Sequence, residues 1–258
     1  MDIRLLLIDL DGTLLRRNKT VSGRTLDTLE RCRTGGIRLA LATARSEAAA
    51  ARIIRLICPD AVISCGGAMA RKGGELVYER RIPADTADAL AAACLEEGAC
   101  RAVTVQTPSG YYVSYAGPAE HPDYAHGVHH DFHIPLRRDV YKLCADFEDP
   151  AVAARVAGRF PSCDCVAFAG ESWVRFAHAE AAKLPAAAAV AAALGVPLEK
   201  AAAFGDDIID LPLLAGCGAG VAVDNALPAV KAAARFRCPS NEEDGVARWL
   251  EENLLEAL

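Results

Sequence analysis

The sequence predicts an α/β protein with a Rossmann-like parallel sheet core and an inserted α+β domain. Strand-like and helix-like segments first alternate along the chain, as expected for a parallel sheet with right-handed crossovers. From about residue 75, several strand-like segments follow one another with few helices between them, which indicates an antiparallel sheet. The alternation returns at Lys183. We therefore predict one core domain from residues 1–81 and 182–258, and an inserted domain over residues 82–181.

Three short apolar runs predict buried parallel strands in the first part of the chain, at residues 3–8, 37–42 and 61–65. Ser22 and Ser46 are suitable N-cap residues for the two helices between these strands, because a serine hydroxyl can accept a hydrogen bond from the first helical turn. The β-α-β-α-β series therefore places the carboxyl ends of all three strands at one edge of the sheet.

The remaining elements are predicted from the same patterns. From about residue 75, strand-like segments lie at 75–78, 103–105, 111–113, 141–143, 166–168 and 173–176, and helices at about 85–97 and 150–160. In the last third, helices are predicted at 185–194, 211–215 and 226–234 and from about 242, and strands at 201–204 and 220–223. The helix at 185–194 is expected to stop at Gly195, since glycine readily adopts the left-handed conformation that ends helices.

Composition and charge argue against several classes of function. The chain has 258 residues, 52% of them hydrophobic, and a net charge of −6, whereas nucleic-acid binding generally needs a basic surface. Its longest uncharged alanine-rich stretch, residues 184–198, is too short to span a bilayer, and the charged N-terminus does not fit a signal peptide. The ten cysteines are scattered without a CxxC pair, as expected for reduced thiols. We expect a cytoplasmic protein that binds neither membrane nor nucleic acid, while its oligomeric state is left open.

The segment Asp9–Leu14 (Asp-Leu-Asp-Gly-Thr-Leu) is the most informative part of the chain. Asp9 and Asp11 lie at the end of a buried strand, where carboxylates are costly to desolvate unless a cation or a chemical role compensates. Gly12 allows a sharp turn directly after them. Taken alone, the segment also fits an ordinary strand and turn, so groups elsewhere in the chain decide its interpretation.

Chemically active side chains are predicted to converge beyond one edge of the sheet, where open α/β sheets bind ligands. These side chains are Asp9, Asp11, Thr43, Asp206, Asp207 and Asp210. Clustered carboxylates repel one another, and a hard divalent cation such as Mg²⁺, which prefers oxygen ligands, relieves that repulsion. The Lys183 ammonium and the Thr43 hydroxyl could bind phosphoryl oxygens. This combination predicts phosphoryl transfer, which consists mostly of positioning and charge neutralisation.

These motifs resemble those of the haloacid dehalogenase (HAD) superfamily, specifically its Cof-type phosphatases with a type IIB cap. Asp9–Leu14 resembles the nucleophile motif, Thr43–Arg45 the second motif, and Lys183 takes the place of the family lysine. The acidic motif corresponds to Gly205–Asp210, and two further family stretches correspond to Val221–Ala226 and Asn241–Val246. Their order and spacing agree with the family over nearly the whole chain.

The resemblance implies a covalent mechanism around one Mg²⁺ ion. Asp9 would attack phosphorus and become an aspartyl-phosphate, and Asp11 would act as general acid and then as general base. The ion would be held by Asp9, by the backbone carbonyl of Asp11 and by Asp206. Asp210 also belongs to the implied metal site, where it would orient the ligands rather than bind directly.

The resemblance also implies which groups hold the phosphoryl oxygens. These are the Thr43 hydroxyl, the Ala44 backbone N–H and the Lys183 ammonium, with help from Asn225. Lys183 is therefore counted among both the catalytic and the substrate-binding residues.

Three departures from the family pattern affect residues near the expected site. Ile209 stands where the acidic motif commonly has Asn, Gly66 where a turn commonly has Asn, and Leu184 where Gly commonly follows the lysine. None of them removes a primary catalytic group, so they bear on metal-site geometry and substrate range.

The inserted domain carries two further sets of candidate residues. His126, His129, His130 and His133 crowd into residues 124–135, and three interpretations stay open. They belong to a solvated loop, they contact the substrate, or His129 and His133 share a helix face and bind a transition metal. The basic candidates for substrate contact are Arg101, Arg137, Arg138 and Arg175, each of which is a surface charge by default.

The sequence therefore predicts a Mg²⁺-dependent phosphatase that acts on a small phosphorylated metabolite, for example a sugar phosphate. Two alternatives stay open. One is a phosphomutase of the phosphomannomutase type, which must shield its aspartyl-phosphate from water. The other is a relative that binds a phosphorylated metabolite without catalysis. The inserted domain would select the substrate, which the sequence does not identify.

Overall fold

The computed structural model describes residues 1–115, 126–168 and 170–255, which divide into two compact units. The core unit comprises Met1–Glu47, Ala51–Tyr78 and the chain from Ala182 onward. The inserted unit comprises Glu79–Ala181, together with Ala48–Ala50. The domain boundaries at 81/82 and 181/182 stay a prediction, and the change of unit in the structure falls after Tyr78 and before Ala182.

The described residues form fourteen strands. They are β1 (Leu5–Ile8), β2 (Arg38–Ala42), β3 (Ala61–Ser64), β4 (Met69–Lys72), β5 (Glu75–Glu79), β6 (Cys100–Thr107), β7 (Gly110–Val113), β8 (Val128–His129), β9 (Lys142–Phe147), β10 (Cys163–Ala167), β11 (Trp173–His178), β12 (Ala201–Gly205), β13 (Ala219–Val223) and β14 (Phe236–Cys238).

Eight α-helices connect these strands in the described part of the chain. They are α1 (Gly23–Thr34), α2 (Glu47–Ile57), α3 (Ala84–Glu96), α4 (Pro150–Arg159), α5 (Lys183–Leu194), α6 (Leu211–Gly216), α7 (Pro228–Ala233) and α8 (Gly245–Leu250). None of them is long and apolar enough to cross a membrane.

The core unit contains an eight-stranded sheet in the order β14-β13-β12-β1-β2-β3-β4-β5. The six strands from β14 to β3 are parallel, and β4 pairs with β3 in the antiparallel direction. In the centre, Ile8 of β1 lies in register with Phe204 of β12 and with Leu41 of β2. Consequently the residues that follow these three strands meet at one edge of the sheet.

Local sequence explains how the core elements start and stop. All four residues of β1 are fully buried, as expected for the central strand of a parallel sheet that is covered on both faces. Ser22 caps α1 by accepting a 3.0 Å hydrogen bond from the Thr25 N–H, and Gly195 ends α5 in the left-handed conformation with φ of 69°.

The inserted unit contains a six-stranded sheet in the order β10-β11-β9-β6-β7-β8. Its pairs are antiparallel except for β7 with β8. One cluster of buried side chains joins this sheet to α3 and α4, with Val105, Leu143 and Phe176 from the strands and Leu90 and Val156 from the helices. The predicted fold class, a parallel sheet core with an inserted α+β domain, is confirmed.

Several element predictions need correction. Strands β4, β8 and β14 were not predicted, because two are short and β4 contains Arg71 and Lys72 rather than an apolar run. Helix α5 begins at Lys183 instead of residue 185. The predicted terminal helix is divided into a 3₁₀ turn at Asn241–Glu243, helix α8, and a π-helical segment at Glu251–Leu255.

Candidate active site

Asp9 directly follows β1 and is almost fully buried, with 5% of its surface exposed. Its backbone N–H donates a 3.1 Å hydrogen bond to the Phe204 carbonyl, so the residue continues the pairing of β1 with β12. The chain then turns back over residues 10–15, where the N–H groups of Leu14 and Leu15 bond to the Leu10 carbonyl. This turn holds the Asp9 carboxylate beyond the end of the central strand.

Lys183 lies in the first turn of α5 and reaches two carboxylates from there. Its Nζ atom is 2.6 Å from Asp9 Oδ1 and 2.6 Å from Asp210 Oδ1, and the side chain is completely buried. Two anionic partners favour the protonated amine more than burial disfavours it, so the pKa of Lys183 lies above its usual value. Lys183 is therefore a fixed cation next to Asp9.

Asp210 is held on both sides. One oxygen accepts the hydrogen bond from Lys183, and Oδ2 accepts from the backbone N–H groups of Asp206 at 3.1 Å and Asp207 at 3.2 Å. Asp207 completes a capping box with Asp210 around the 3₁₀ turn Ile208–Asp210. These contacts use both oxygens of the Asp210 carboxylate. Asp210 is therefore placed to orient Lys183 and Asp206.

Asp9, Asp206 and Asp210 together form an acidic cluster. Each offers a carboxylate oxygen, and these oxygens lie within 4.8 Å of one another. Burial raises the pKa of Asp9 well above its usual value despite the opposing charge of Lys183. Burial likewise raises the pKa of Asp206 to about 7, against a hydrogen bond of 2.8 Å from the Thr13 hydroxyl. With three carboxylates and one lysine, the cluster has the charge and oxygen donors that suit a divalent cation.

Two glycines are required by the close packing around this cluster. A Cβ atom on Gly12, which has φ of 81°, would lie 2.1 Å from Asp206 Oδ2. A Cβ atom on Gly67, with φ of 98°, would lie 2.2 Å from the Ala182 carbonyl carbon and 2.5 Å from the Lys183 nitrogen. Gly12 therefore gives Asp206 its space, and Gly67 allows the start of α5 to approach.

Asp11 is paired with two cations rather than with the acidic cluster. Arg45 bonds it through Nε to Oδ2 at 2.6 Å and through Nη2 to Oδ1 at 2.8 Å, and the Lys19 ammonium bonds Oδ1 at 2.7 Å. Partial burial would raise the pKa of Asp11, but these hydrogen bonds and charges outweigh it and lower the pKa to about 2. The side chain is thus an oriented carboxylate.

Thr43 follows β2 and is buried at the same edge of the sheet. Its N–H donates to the Ile63 carbonyl at 2.8 Å, and its carbonyl accepts from the Gly66 N–H at 2.9 Å. The Thr43 hydroxyl accepts a 3.1 Å hydrogen bond from the Arg45 N–H, which turns the chain at Ala44. The second motif is therefore tied into one loop, and the predicted phosphoryl contacts of Thr43 and Ala44 stay predictions.

Asn225 holds the nucleophile loop from the other side. Its Nδ2 donates to the Gly12 carbonyl at 2.7 Å, and its Oδ1 accepts from the Asn241 N–H at 3.0 Å. Asn241 in turn donates to the Leu15 carbonyl at 2.7 Å. The observed contacts of Asn225 are thus with the protein backbone, and its help in phosphoryl binding stays a prediction.

The departures from the family pattern have local explanations. Gly66 has φ of 72°, a backbone conformation that glycine adopts without strain. Leu184 packs so closely against Gly216 that a Cβ atom there would lie 2.5 Å from the leucine. Ile209 has no polar side-chain group. Asp210 is instead fixed by the hydrogen bonds that its Oδ2 accepts from the backbone N–H groups of Asp206 and Asp207.

Sequence reasoning missed three residues that contact the predicted site. Lys19 and Arg45 bind Asp11, and Thr13 donates to Asp206. Thr13 lies inside the motif Asp9–Leu14, and Arg45 lies inside the motif Thr43–Arg45. Their closeness in sequence to Asp9 and Thr43 is a signal that could have placed them at the site. Lys19 carries no such signal, because it reaches Asp11 only through a turn in which its own φ is 60°.

The histidine segment of the inserted unit is not helical where the structure describes it, from residue 126 onward. His129 belongs to strand β8, so the idea that His129 and His133 share a helix face is wrong. The His130 ring lies 4.9 Å from that of Phe132 and 6.0 Å from that of Tyr112. Among the described residues, only the acidic cluster brings three metal-binding side chains together, and no histidine belongs to it.

The basic candidates of the inserted unit differ in burial. Arg101 is exposed and pairs with Asp146, as expected of a surface charge. Arg175 is not the surface charge that was expected, because only 3% of its surface is exposed. Its Nη2 atom lies 3.6 Å from Asp164 Oδ2. Arg137 and Arg138 are exposed.

Comparison with known proteins gives consistent matches over nearly the whole chain. A family model described as haloacid dehalogenase-like hydrolase matches residues 6–250. YxeH of Bacillus subtilis (strain 168) is 27% identical over an alignment of 274 residues, gaps included, that covers 98% of each chain. HMP-PP phosphatase of Escherichia coli O6:H1 is 26% identical over 247 residues, covering 89% of this chain and 87% of the relative.

A solved structure shares the fold at lower sequence identity. The HAD subclass IIB sugar phosphatase BT4131 superposes with a TM-score of 0.84 over 96% of this chain and 98% of its own, at 23% identity. The superposition includes both sheets of the chain. At 23% identity it shows a shared fold and nothing about function.

Proposed function

Because the chain belongs to the haloacid dehalogenase-like hydrolase family, we propose that it is a Mg²⁺-dependent phosphatase, a phosphoric monoester hydrolase for small phosphorylated metabolites. The observation that carries the proposal is the buried Asp9 carboxylate, one oxygen of which is held by Lys183 next to two further carboxylates. HMP-PP phosphatase, which matches 89% of this chain, is named for a reaction of the same class, and this supports the proposal.

The acidic cluster is the proposed metal site. Asp9, Asp206 and the backbone carbonyl of Asp11 would hold Mg²⁺, and Asp210 would orient Asp206 and Lys183. The ion would neutralise charge on the phosphoryl oxygens and on the carboxylates. The raised pKa of Asp206, about 7, supports this assignment, because a cation would replace the proton that the carboxylate otherwise retains.

Asp9 is the proposed nucleophile. Its Oδ1 accepts the hydrogen bond from Lys183, whereas no donor among the described residues reaches Oδ2. Attack of Oδ2 on phosphorus would form the aspartyl-phosphate and break the bond to the leaving oxygen. The leaving oxygen would take a proton from Asp11, which requires that the substrate-bound site protonate a carboxyl that Arg45 and Lys19 otherwise keep ionised. Asp11 would then remove a proton from the attacking water, whose oxygen displaces Asp9 and releases inorganic phosphate.

The phosphoryl group would be held by groups at the same edge of the sheet. We assign this role to the Thr43 hydroxyl, the Ala44 N–H and Lys183, and a supporting role to Asn225. Lys183 would serve both Asp9 and the phosphoryl oxygens, since its fixed positive charge stabilises the developing negative charge of the transition state.

The direct test is hydrolysis of p-nitrophenyl phosphate, followed by a panel of phosphorylated metabolites, among them sugar phosphates. We expect turnover with Mg²⁺ and its loss on addition of EDTA. Fast hydrolysis without a sugar bisphosphate would exclude a phosphomutase. Tight binding of phosphorylated metabolites without turnover at any divalent cation would instead identify a binding protein.

A further inference from the structure

A basic turn lies beside the candidate active site of an otherwise acidic chain. Arg16, Arg17 and Lys19 fall within four residues, whereas the net charge of the whole chain is −6. Two backbone hydrogen bonds close the turn, from the Arg16 N–H to the Thr20 carbonyl at 3.0 Å and from the Lys19 N–H to the Arg16 carbonyl at 2.8 Å. The positive charge is therefore held in a fixed place.

Two of these three cations differ clearly in their partners. Arg16 pairs with Asp244 at 2.9 Å, so its charge is matched. Arg17 is exposed, and its guanidinium has no hydrogen-bond or ionic partner among the described residues. Only the backbone N–H of Arg17 is bonded, to Glu242 Oε1 at 2.6 Å. The turn thus carries more positive charge than its own contacts with described residues neutralise.

Lys19, the third cation, keeps hydrogen-bond donors for a ligand. Its ammonium has three N–H groups, and among the described residues it bonds one acceptor, Asp11 Oδ1, at 2.7 Å. The side chain is 38% exposed. Asp11 does not depend on Lys19 for charge balance, because Arg45 binds both of its oxygens, at 2.6 and 2.8 Å. Lys19 can therefore bind a second anion while it stays on Asp11.

The proposed reaction brings the leaving group close to this ammonium. The leaving oxygen would lie against the Asp11 carboxylate, at a hydrogen-bond distance of about 3 Å. Lys19 Nζ is 2.7 Å from the same carboxylate. The leaving oxygen and the ammonium would then be within about 6 Å of each other, so an anionic group about three bonds beyond the leaving oxygen reaches the ammonium.

We propose that Lys19 is a specificity-determining residue that binds a second anionic group, a carboxylate or a second phosphate, on the leaving group of the substrate. The inference rests on the proposed function and narrows its substrates to phosphate esters with two anionic groups. Hydrogen bonds between an ammonium and an anion are about twice as strong as neutral ones. The basic turn also offsets the repulsion between an acidic protein and a polyanionic substrate.

The test uses two probes that differ in one group. 3-Phosphoglycerate has a carboxylate three bonds beyond the ester oxygen, where glycerol 3-phosphate has a neutral hydroxymethyl group. Each is measured as a competitive inhibitor of p-nitrophenyl phosphate hydrolysis with saturating Mg²⁺, so neither needs to be turned over. We expect the unaltered enzyme to bind 3-phosphoglycerate about tenfold more tightly, as expected for one charge-assisted hydrogen bond.

Three variants and one change of condition complete the test. Lys19→Met should abolish the preference for 3-phosphoglycerate, and Lys19→Arg should keep most of it. Arg16→Met removes a cation of the same turn whose charge Asp244 already matches, so the preference should remain. In the unaltered enzyme the preference should fall at higher ionic strength, because salt screens a partly exposed ion pair. Thermal unfolding confirms that each variant is folded.

Equal inhibition by the two probes in the unaltered enzyme would overturn the proposal. So would a preference that survives in Lys19→Met, or one that is lost equally in Arg16→Met. A failure of the proposed function looks different, since p-nitrophenyl phosphate would then not be hydrolysed at all, and the inference would fall with it.

Discussion

Asp210 and Lys183 form a fully buried ion pair, with 2.6 Å between Oδ1 and Nζ. The same lysine nitrogen bonds the nucleophile candidate Asp9, so Asp210 determines where that nitrogen lies. Because Asp210 also binds two backbone N–H groups after β12, the lysine is connected to the strand end that carries Asp206. The site is therefore organised around Lys183 as much as around the motif that contains Asp9.

Asp210→Asn should impair both stability and catalysis. The amide keeps the size of the side chain but leaves Lys183 with one anionic partner, and breaking a buried ion pair costs about 3 kcal/mol or more. We expect that loss in the free energy of unfolding by urea, and a fall in kcat of about 100-fold from misplacement of the lysine.

Asp207→Asn is the control for this prediction. Asp207 contributes to the same capping box but does not touch Lys183, and asparagine can also cap a helix. An equal loss of kcat in both variants would contradict a specific role for Asp210.

Gly67→Ala should reduce activity through displacement of α5. The new methyl group would overlap the backbone at Ala182 and Lys183, in addition to the cost of about 1 kcal/mol for a non-glycine residue at positive φ. We expect a loss of stability of about 3 kcal/mol in total and a higher KM for p-nitrophenyl phosphate, since overpacking forces backbone shifts.

Gly36→Ala separates strain from overlap. Gly36 has a similar φ of 85°, but a Cβ atom there would meet nothing within 4 Å. This variant should lose only about 1 kcal/mol of stability and keep its kinetic constants. Equal effects at both positions would show that backbone strain, rather than the approach to Lys183, explains the need for glycine.

Stability without a divalent cation should fall as the pH rises from about 4 to 7. Burial raises the pKa of Asp206 to about 7 in the folded protein, so across this window the folded state retains a proton that the unfolded state has lost. The loss should be on the order of 4 kcal/mol.

Mg²⁺ should reverse this dependence, because it binds the ionised carboxylates. Its effect on the melting temperature should therefore be larger at pH 8 than at pH 5. Asp206→Asn should flatten the pH dependence and reduce the response to Mg²⁺. An equal Mg²⁺ effect at both pH values would contradict the proposed metal site.

The sequence allowed the fold class to be predicted, since the apolar runs of β1, β2 and β12 and the caps of α1 and α5 are local signals. The placement of Asp9, Thr43 and Asp206 at one edge follows from parallel pairing alone. Strands such as β14 were missed because three residues at a sheet edge leave no clear pattern of alternation.

Contacts that depend on turn conformation were not predictable. The pairing of Lys19 with Asp11 requires a left-handed residue in a five-residue turn, which no local propensity of lysine favours. The burial of Arg175 was missed for a different reason, since exposure of a charged residue is decided by the tertiary packing of the inserted unit.

Covalent labelling of Asp9 tests the central claim most directly. The protein would be mixed with ³²P-labelled phosphorylated substrate and Mg²⁺, quenched in acid within a single turnover, and digested for peptide mapping. We predict label on the peptide that contains Asp9 and none in a folded Asp9→Asn variant, which should also lose nearly all hydrolysis of p-nitrophenyl phosphate. Label on another residue, or full activity of Asp9→Asn, would contradict the account.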